Sequence, residues 1–194
     1  MTPFKSGWTA LVCYPTTLGD AVRGIDISLA REGSGALTLR YVLHADMLHV
    51  LTPPSAPPVR ADGLWAHTCF EAFIAPAGAG ASYYELNFSP SRQWAIYSFE
   101  AYRQGMSPTD VSVPPKLMVR TFDDRLELDA TIRLDDLQGL RAADTLKLAV
   151  TAVVEDDSGT LSYWALKHAP GKPDFHHADG FVLELPGRPM DQPK

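Results

Sequence analysis

Two glutamates, Glu71 and Glu85, sit in segments that alternate strictly between apolar and polar residues. In TCFEAFIA (68–75), Cys69, Glu71 and Phe73 fall on one side, and Phe70, Ala72 and Ile74 on the other. In YYELNFS (83–89), Tyr83, Glu85, Asn87 and Ser89 share a side, with Tyr84, Leu86 and Phe88 opposite. A period of two is that of a β-strand, whose successive side chains point to opposite faces. A carboxylate among such neighbours is costly to bury unless it is hydrogen-bonded, so Glu71 is either paired inside the protein or aimed at a ligand. If Ser89–Arg92 form a hairpin loop, Asn87 stands near Trp94 and Glu85 near Ile96, which brings Trp94 onto the polar face. Two carboxyls flanking one bond are also what glycoside hydrolysis requires.

Sugars are polar around the ring edge and apolar on the ring faces. A site for them combines an aromatic platform with carboxylates, amides or guanidinium groups at its rim, and Trp65, Trp94 and Trp164 with Glu71, Glu85, Asn87 and Arg103 are of those types. A second polar cluster lies in WALKHAPGKPDFHH (164–177), which gathers Lys167, His168, Lys172, Asp174, His176 and His177. Histidine with aspartate invites a zinc reading. The two lysines oppose it, and no HExxH spacing is present. The segment reads as a loop docked on the end of a sheet. A third segment, TPPSAPPVRADG (52–63), has four prolines and cannot be a central strand; loops of this length in compact domains are often functional. Arg60, Trp65, Trp94, Trp164, His168 and His176 are therefore expected to meet in one concavity. Cys69 reads as a small buried hydrophobe rather than a nucleophile. No GxSxG, phosphate loop or dinucleotide fingerprint occurs.

The elements that must position these residues are strands. Short runs near 8–14, 23–30, 35–43, 67–75, 82–89, 92–99, 116–122, 125–133, 145–154, 160–167 and 180–185 are separated by Gly, Pro, Asp or Ser. Asp123-Asp124 and EDDSGT mark hairpin turns. Helical signal is confined to one short turn at Asp135, with Leu137 and Leu140 packing beneath it. Many short strands without long connecting helices predict an all-β fold, a two-sheet antiparallel β-sandwich, forming one domain over 1–185 with a loose tail over 186–194.

The bulk numbers agree. The chain has 194 residues, 45% hydrophobic and 21% charged, enough for a well-buried core. A net charge of -6 speaks against nucleic acid, which calls for a basic stripe. No run approaches the roughly 20 apolar residues of a membrane helix. Cys13 and Cys69 make no CxxC pair, and MTPFKSGWTALVCYP shows no cleavage site. These features read as a cytoplasmic protein with reduced thiols.

The stretches ALTLRYVLHADM, DGLWAHTCFEAFIAP and SYYELNFSPSRQWAIYSFEAYRQGM resemble the DOMON-like group related to family 9 carbohydrate-binding modules. The YWALKHAPGKPDFHHADGF ending is similar to that of uncharacterised bacterial members. Asp46, Trp65, Glu71, Asn87 and Pro90 match the family's pattern of a strand ending in Asp, a Trp loop, a strand with Glu and an N-x-x-P hairpin. The resemblance implies a β-sandwich that binds a sugar or similar small polar ligand without catalysis. Together with the residue types read above, the expected ligand-binding set is Arg60, Trp65, Glu71, Glu85, Asn87, Trp94, Arg103, Trp164, His168 and His176. The alternatives are a glycoside-processing enzyme using Glu71 and Glu85, or a haem-binding redox module drawing an axial ligand from His44, His49, Met47 or Met106. Thr68 stands where the family often has an acid three residues before the glutamate, so calcium is not implied. Neither calcium nor haem is favoured, and the oligomeric state is left open.

Overall fold

A computed structural model describes residues 2–3, 7–17, 19–31, 35–78 and 80–186. Its strands are β1 (Thr2–Pro3), β2 (Thr9–Cys13), β3 (Val22–Arg31), β4 (Ala36–Ala45), β5 (Val50–Leu51), β6 (Cys69–Pro76) and β7 (Tyr83–Phe88). They continue with β8 (Trp94–Phe99), β9 (Ser107–Pro108), β10 (Lys116–Thr121), β11 (Arg125–Arg133), β12 (Thr145–Asp156), β13 (Leu161–Ala165) and β14 (Leu183–Pro186). Helix among the described residues is limited to single 3-10 turns, such as Leu64–Ala66 and Leu134–Asp136. Beneath the latter turn Leu137 and Leu140 are buried as expected. No helix there is long and apolar enough to cross a membrane. Most of the anticipated tail, residues 187–194, lies outside the described residues.

Eleven of the strands form one hydrogen-bonded path, β10-β11-β4-β3-β2-β13-β12-β6-β7-β8-β9, antiparallel at each step; β5 and β14 pair with β12 off this path, and β1 runs parallel to β14. The expected division into two sheets is replaced by continuity through β2. Thr9, Ala10 and Leu11 pair with β3, while Val12 and Cys13 pair with β13. The sheet therefore curls, and its two arms cover a common core. Leu37, Leu39, Leu43, Leu126 and Leu128 come from one arm; Phe70, Ile74, Leu86, Phe88, Ile96 and Val150 come from the other. The Tyr41 ring lies 5.0 Å from that of Phe70, and its hydroxyl donates to the Glu71 carbonyl at 2.9 Å across the core.

Strand alternation sorts the second arm as the sequence suggests. Phe70, Ala72, Ile74, Leu86 and Phe88 point into this core, with Tyr84 packed at its edge. Their neighbours point outward, yet that face is also covered. Phe73, Tyr83, Ala95, Tyr97, Phe99 and Ala149 form a second apolar cluster, against which Leu64, Phe175 and Phe181 pack. The segment after β13 thus folds back over the arm and encloses the polar residues on its outer face.

Candidate functional site

Glu71 and Glu85 open into a cavity of about 380 Å³ between this outer face and its covering loops. Strand β6 contributes Glu71 and Phe73, β7 contributes Glu85, and β12 and β13 contribute Val153 and Tyr163. Phe99 stands at the end of β8; Trp65 comes from the 3-10 turn, Arg103 and Met106 from the segment after β8, and Phe175 and His176 from the covering loop. The walls are aromatic and the floor is acidic. Trp65 and Met106 keep 40% and 45% of their surface exposed, which places them at the mouth.

The two carboxyls differ in their surroundings. Register sets Glu71 opposite Asn87 and Phe73 opposite Glu85, so the glutamates are diagonal neighbours on one face. Asn87 donates from Nδ2 to Glu85 Oε1 at 2.9 Å. Glu71 receives only a long contact of 3.5 Å from Thr151 Oγ1 to Oε2, and its Oε1 has no partner. Burial, and then the charge of Glu85, push the Glu71 carboxyl well above the usual carboxylate range. Burial also raises Glu85, against the opposing pull of Asn87 and Arg103. Of the pair, Glu71 is the more strongly raised, so a proton between them is held more readily on Glu71 than on Glu85.

A relay of side chains holds the other wall. Arg103 adopts a positive φ of 52°, which turns its backbone N–H onto the Tyr83 hydroxyl at 3.2 Å. That hydroxyl lies 2.8 Å from His176 Nδ1, and His176 Nε2 is 3.7 Å from Glu85 Oε2. The Arg103 guanidinium pairs with Asp174 at 2.8 Å, and the Tyr102 hydroxyl donates to the same carboxylate. Burial and the Arg103 charge lower His176 to about 4, so the imidazole is neutral at pH 7. The neutral ring carries one N–H, on Nδ1 toward Tyr83 or on Nε2 toward Glu85.

Five of the sequence-derived candidates, Trp65, Glu71, Glu85, Arg103 and His176, line this cavity. Asn87 lies buried at its floor through Glu85. Within the protein, the side-chain partner of Glu71 is Thr151 and that of Asn87 is Glu85. Four candidates are placed elsewhere. Trp94 pairs with Phe88 rather than Asn87 and is buried in the central core, as is Trp164, whose Nε1 donates to Ser162 Oγ at 3.0 Å. Arg60 is engaged with Asp62 at 2.7 Å and lies 5.3 Å from the Tyr97 ring centroid, beside the mouth, since Tyr97 meets Trp65 edge-on at 5.6 Å. His168 is 2.8 Å from the Val12 carbonyl, holding the covering loop to β2. The expected single concavity for all six residues of the three segments is therefore not formed. Sequence reading missed Phe99, Tyr163, Phe175 and the Tyr83 relay. The shared side of Tyr83 and Glu85 was legible, but the contacts of Tyr83 to Arg103 and His176, 20 and 93 residues away, were not.

Cys69 is fully buried, and desolvation pushes its thiol up, which suits packing and not nucleophilic attack. Among the described residues no group of three or more side chains is arranged to hold a metal. Thr68 spends its hydroxyl on the Leu51 carbonyl and the Glu155 N–H. His44 and His49 are engaged with Asp26 and Asp157.

The class these observations define is an all-β chain with a curled antiparallel sheet and an enclosed acidic, aromatic cavity on its outer face. No protein-family model and no curated protein matches the sequence. Solved structures do share the fold. A candidate carbohydrate-binding protein from Bacteroides uniformis matches with a TM-score of 0.69 and 16% identity, over 92% of this chain and 85% of that one. A family 9 carbohydrate-binding module from Caldicellulosiruptor kristjanssonii, in complex with cellotriose, matches with a TM-score of 0.56 and 11% identity, over 94% and 83%. At these identities the likeness is one of fold.

Proposed function

We propose that the protein binds a carbohydrate in the cavity above β6 and β7 and returns it chemically unchanged. The fold reading that accompanies this treats the two arms as the layers of a β-sandwich of the DOMON-like, family 9 type. The observation that carries the proposal is the buried, unpartnered Oε1 of Glu71 in an aromatic-walled space. A buried polar atom without a partner is costly, and a ligand hydroxyl supplies what the fold omits. Phe73, Phe99, Tyr163 and Trp65 offer apolar faces to a sugar ring, while Glu71, Glu85 and Arg103 offer its edge donors and acceptors. A volume of about 380 Å³ lies within the range of small-ligand pockets. The sugar-binding relatives in fold support the same reading.

Tryptophan fluorescence tests it. Of the four tryptophans, Trp65 stands at the mouth, while Trp94 and Trp164 are in the core. Titration with mono- and oligosaccharides is expected to give a saturable change that is lost in Trp65→Phe, with the recovered sugar unaltered by chromatography. Cleavage of the sugar would favour the glycoside-processing alternative. No response to any sugar would remove the proposal.

A further inference from the structure

The polar floor of the cavity carries more acid than its surroundings neutralise. Glu71 and Glu85 are 2% and 5% exposed, side by side on adjacent strands. The cation nearest to them in the cavity wall, Arg103, has its guanidinium on Asp174. Among the described residues no cation is paired with Glu71. The titratable groups around it are Glu85, Cys69 and Tyr41, none of them positive, and Thr151 is its only side-chain partner. Glu85 is faced by Asn87, by Arg103 and by His176, whose ring is neutral and whose Nε2 lies 3.7 Å from Oε2.

A hydroxyl entering this space would supply one donor and leave the two acids sharing a proton. An ammonium group supplies three donors and no acceptor, and its charge removes the repulsion that two adjacent carboxylates suffer. The aromatic walls favour the same sign of charge, since ring faces attract cations. We propose that the cavity selects a small ligand carrying a free protonated amine, seated between Glu71 and Glu85; on the carbohydrate reading above, on which this rests, that ligand is an unacetylated amino sugar. An entering cation favours the carboxylate form of both acids, so a proton held between them leaves to solvent. Charge-assisted hydrogen bonds exceed neutral ones by enough to make a difference of about tenfold or more in affinity.

Isothermal titration calorimetry on the full chain decides this with four probes: glucosamine, glucose, N-acetylglucosamine and ethanolamine. Runs at about pH 6, where an aliphatic amine is protonated, in two buffers of different ionisation enthalpy, count the protons released. The expected result is glucosamine binding about tenfold or more tightly than glucose and N-acetylglucosamine, with a net release of protons. Glu71→Gln, which keeps shape and removes the acid, should abolish the release and most of the preference. Glucose or N-acetylglucosamine binding as tightly as glucosamine would overturn the amine proposal while leaving carbohydrate binding intact. Ethanolamine binding with proton release, and no sugar binding, would do the reverse. No binding by any of the four would overturn this proposal for the cavity.

Discussion

Glu71 combines two conditions that a carboxyl group rarely meets together, near-complete burial and one oxygen without a partner. The alternation of TCFEAFIA shows which face Glu71 takes, but the sequence could not show what faces it, because Thr151 is 80 residues away. The raised Glu71 carboxyl and the lowered His176 imidazole leave opposite marks on stability. An acid raised in the folded state keeps a proton that the unfolded chain has released, so stability declines as pH rises from about 4.3 through the raised native value. An imidazole lowered to about 4 works the other way. Its contribution is complete above the unfolded value of about 6.5 and is lost as pH falls toward 4. Denaturant unfolding across pH 4 to 8 should therefore show Glu71→Gln gaining on the wild type as pH rises, and His176→Asn gaining as pH falls. For His176 the change across its window is on the order of 2 kcal/mol, the partly exposed ring reducing the full linkage value. Parallel pH profiles for wild type and both variants would show that neither group titrates abnormally.

At the scale of elements, strand positions and facing were legible, because alternation and turn residues bounded every long run. The hairpin register was not. A four-residue loop puts Trp94 beside Asn87, whereas the pairing of Phe88 with Trp94 leaves five residues, Ser89–Gln93, in the loop. Since side-chain direction alternates at each residue, one extra residue moves Trp94 to the other face. The extra residue is accommodated by Arg92 at a φ of 76°, a conformation usually announced by glycine, so no signal marked it. The turn that carries Arg103 does use glycine. Gly105 has a φ of +66°, and a Cβ there would meet Glu100 Cγ at 2.6 Å. The Glu100 side chain can swing aside, but the backbone conformation cannot be relieved. Gly105→Ala should cost about 1–2 kcal/mol in urea unfolding and loosen the hold of Arg103 on Asp174, read as faster amide exchange across 172–177. Wild-type stability and exchange in this variant would show that the turn is not held in the left-handed conformation.

For the molecule as a whole, β2 makes one sheet of what strand patterns alone present as two. It does so by pairing its first half with β3 and its second half with β13, a division of five residues that no periodicity records. The consequence is a core shared by both arms, with Phe70 against Tyr41 at its centre. Phe70→Ala should lower stability by about 3–5 kcal/mol and leave a single unfolding transition by both fluorescence and circular dichroism. Two separated transitions would mean that the arms fold as independent units.

The central claim is that a carbohydrate occupies the cavity on the outer face of β6 and β7. Amide chemical-shift mapping during titration with mono- and oligosaccharides, amino sugars included, tests it most directly, because it reports every site on the chain at once. Binding in the cavity predicts saturable shifts concentrated at Trp65, Glu71, Glu85, Arg103 and Phe175–His176, with the arm formed by β3, β4 and β11 unmoved. Shifts centred on that other arm, or no shifts with any sugar, would contradict it.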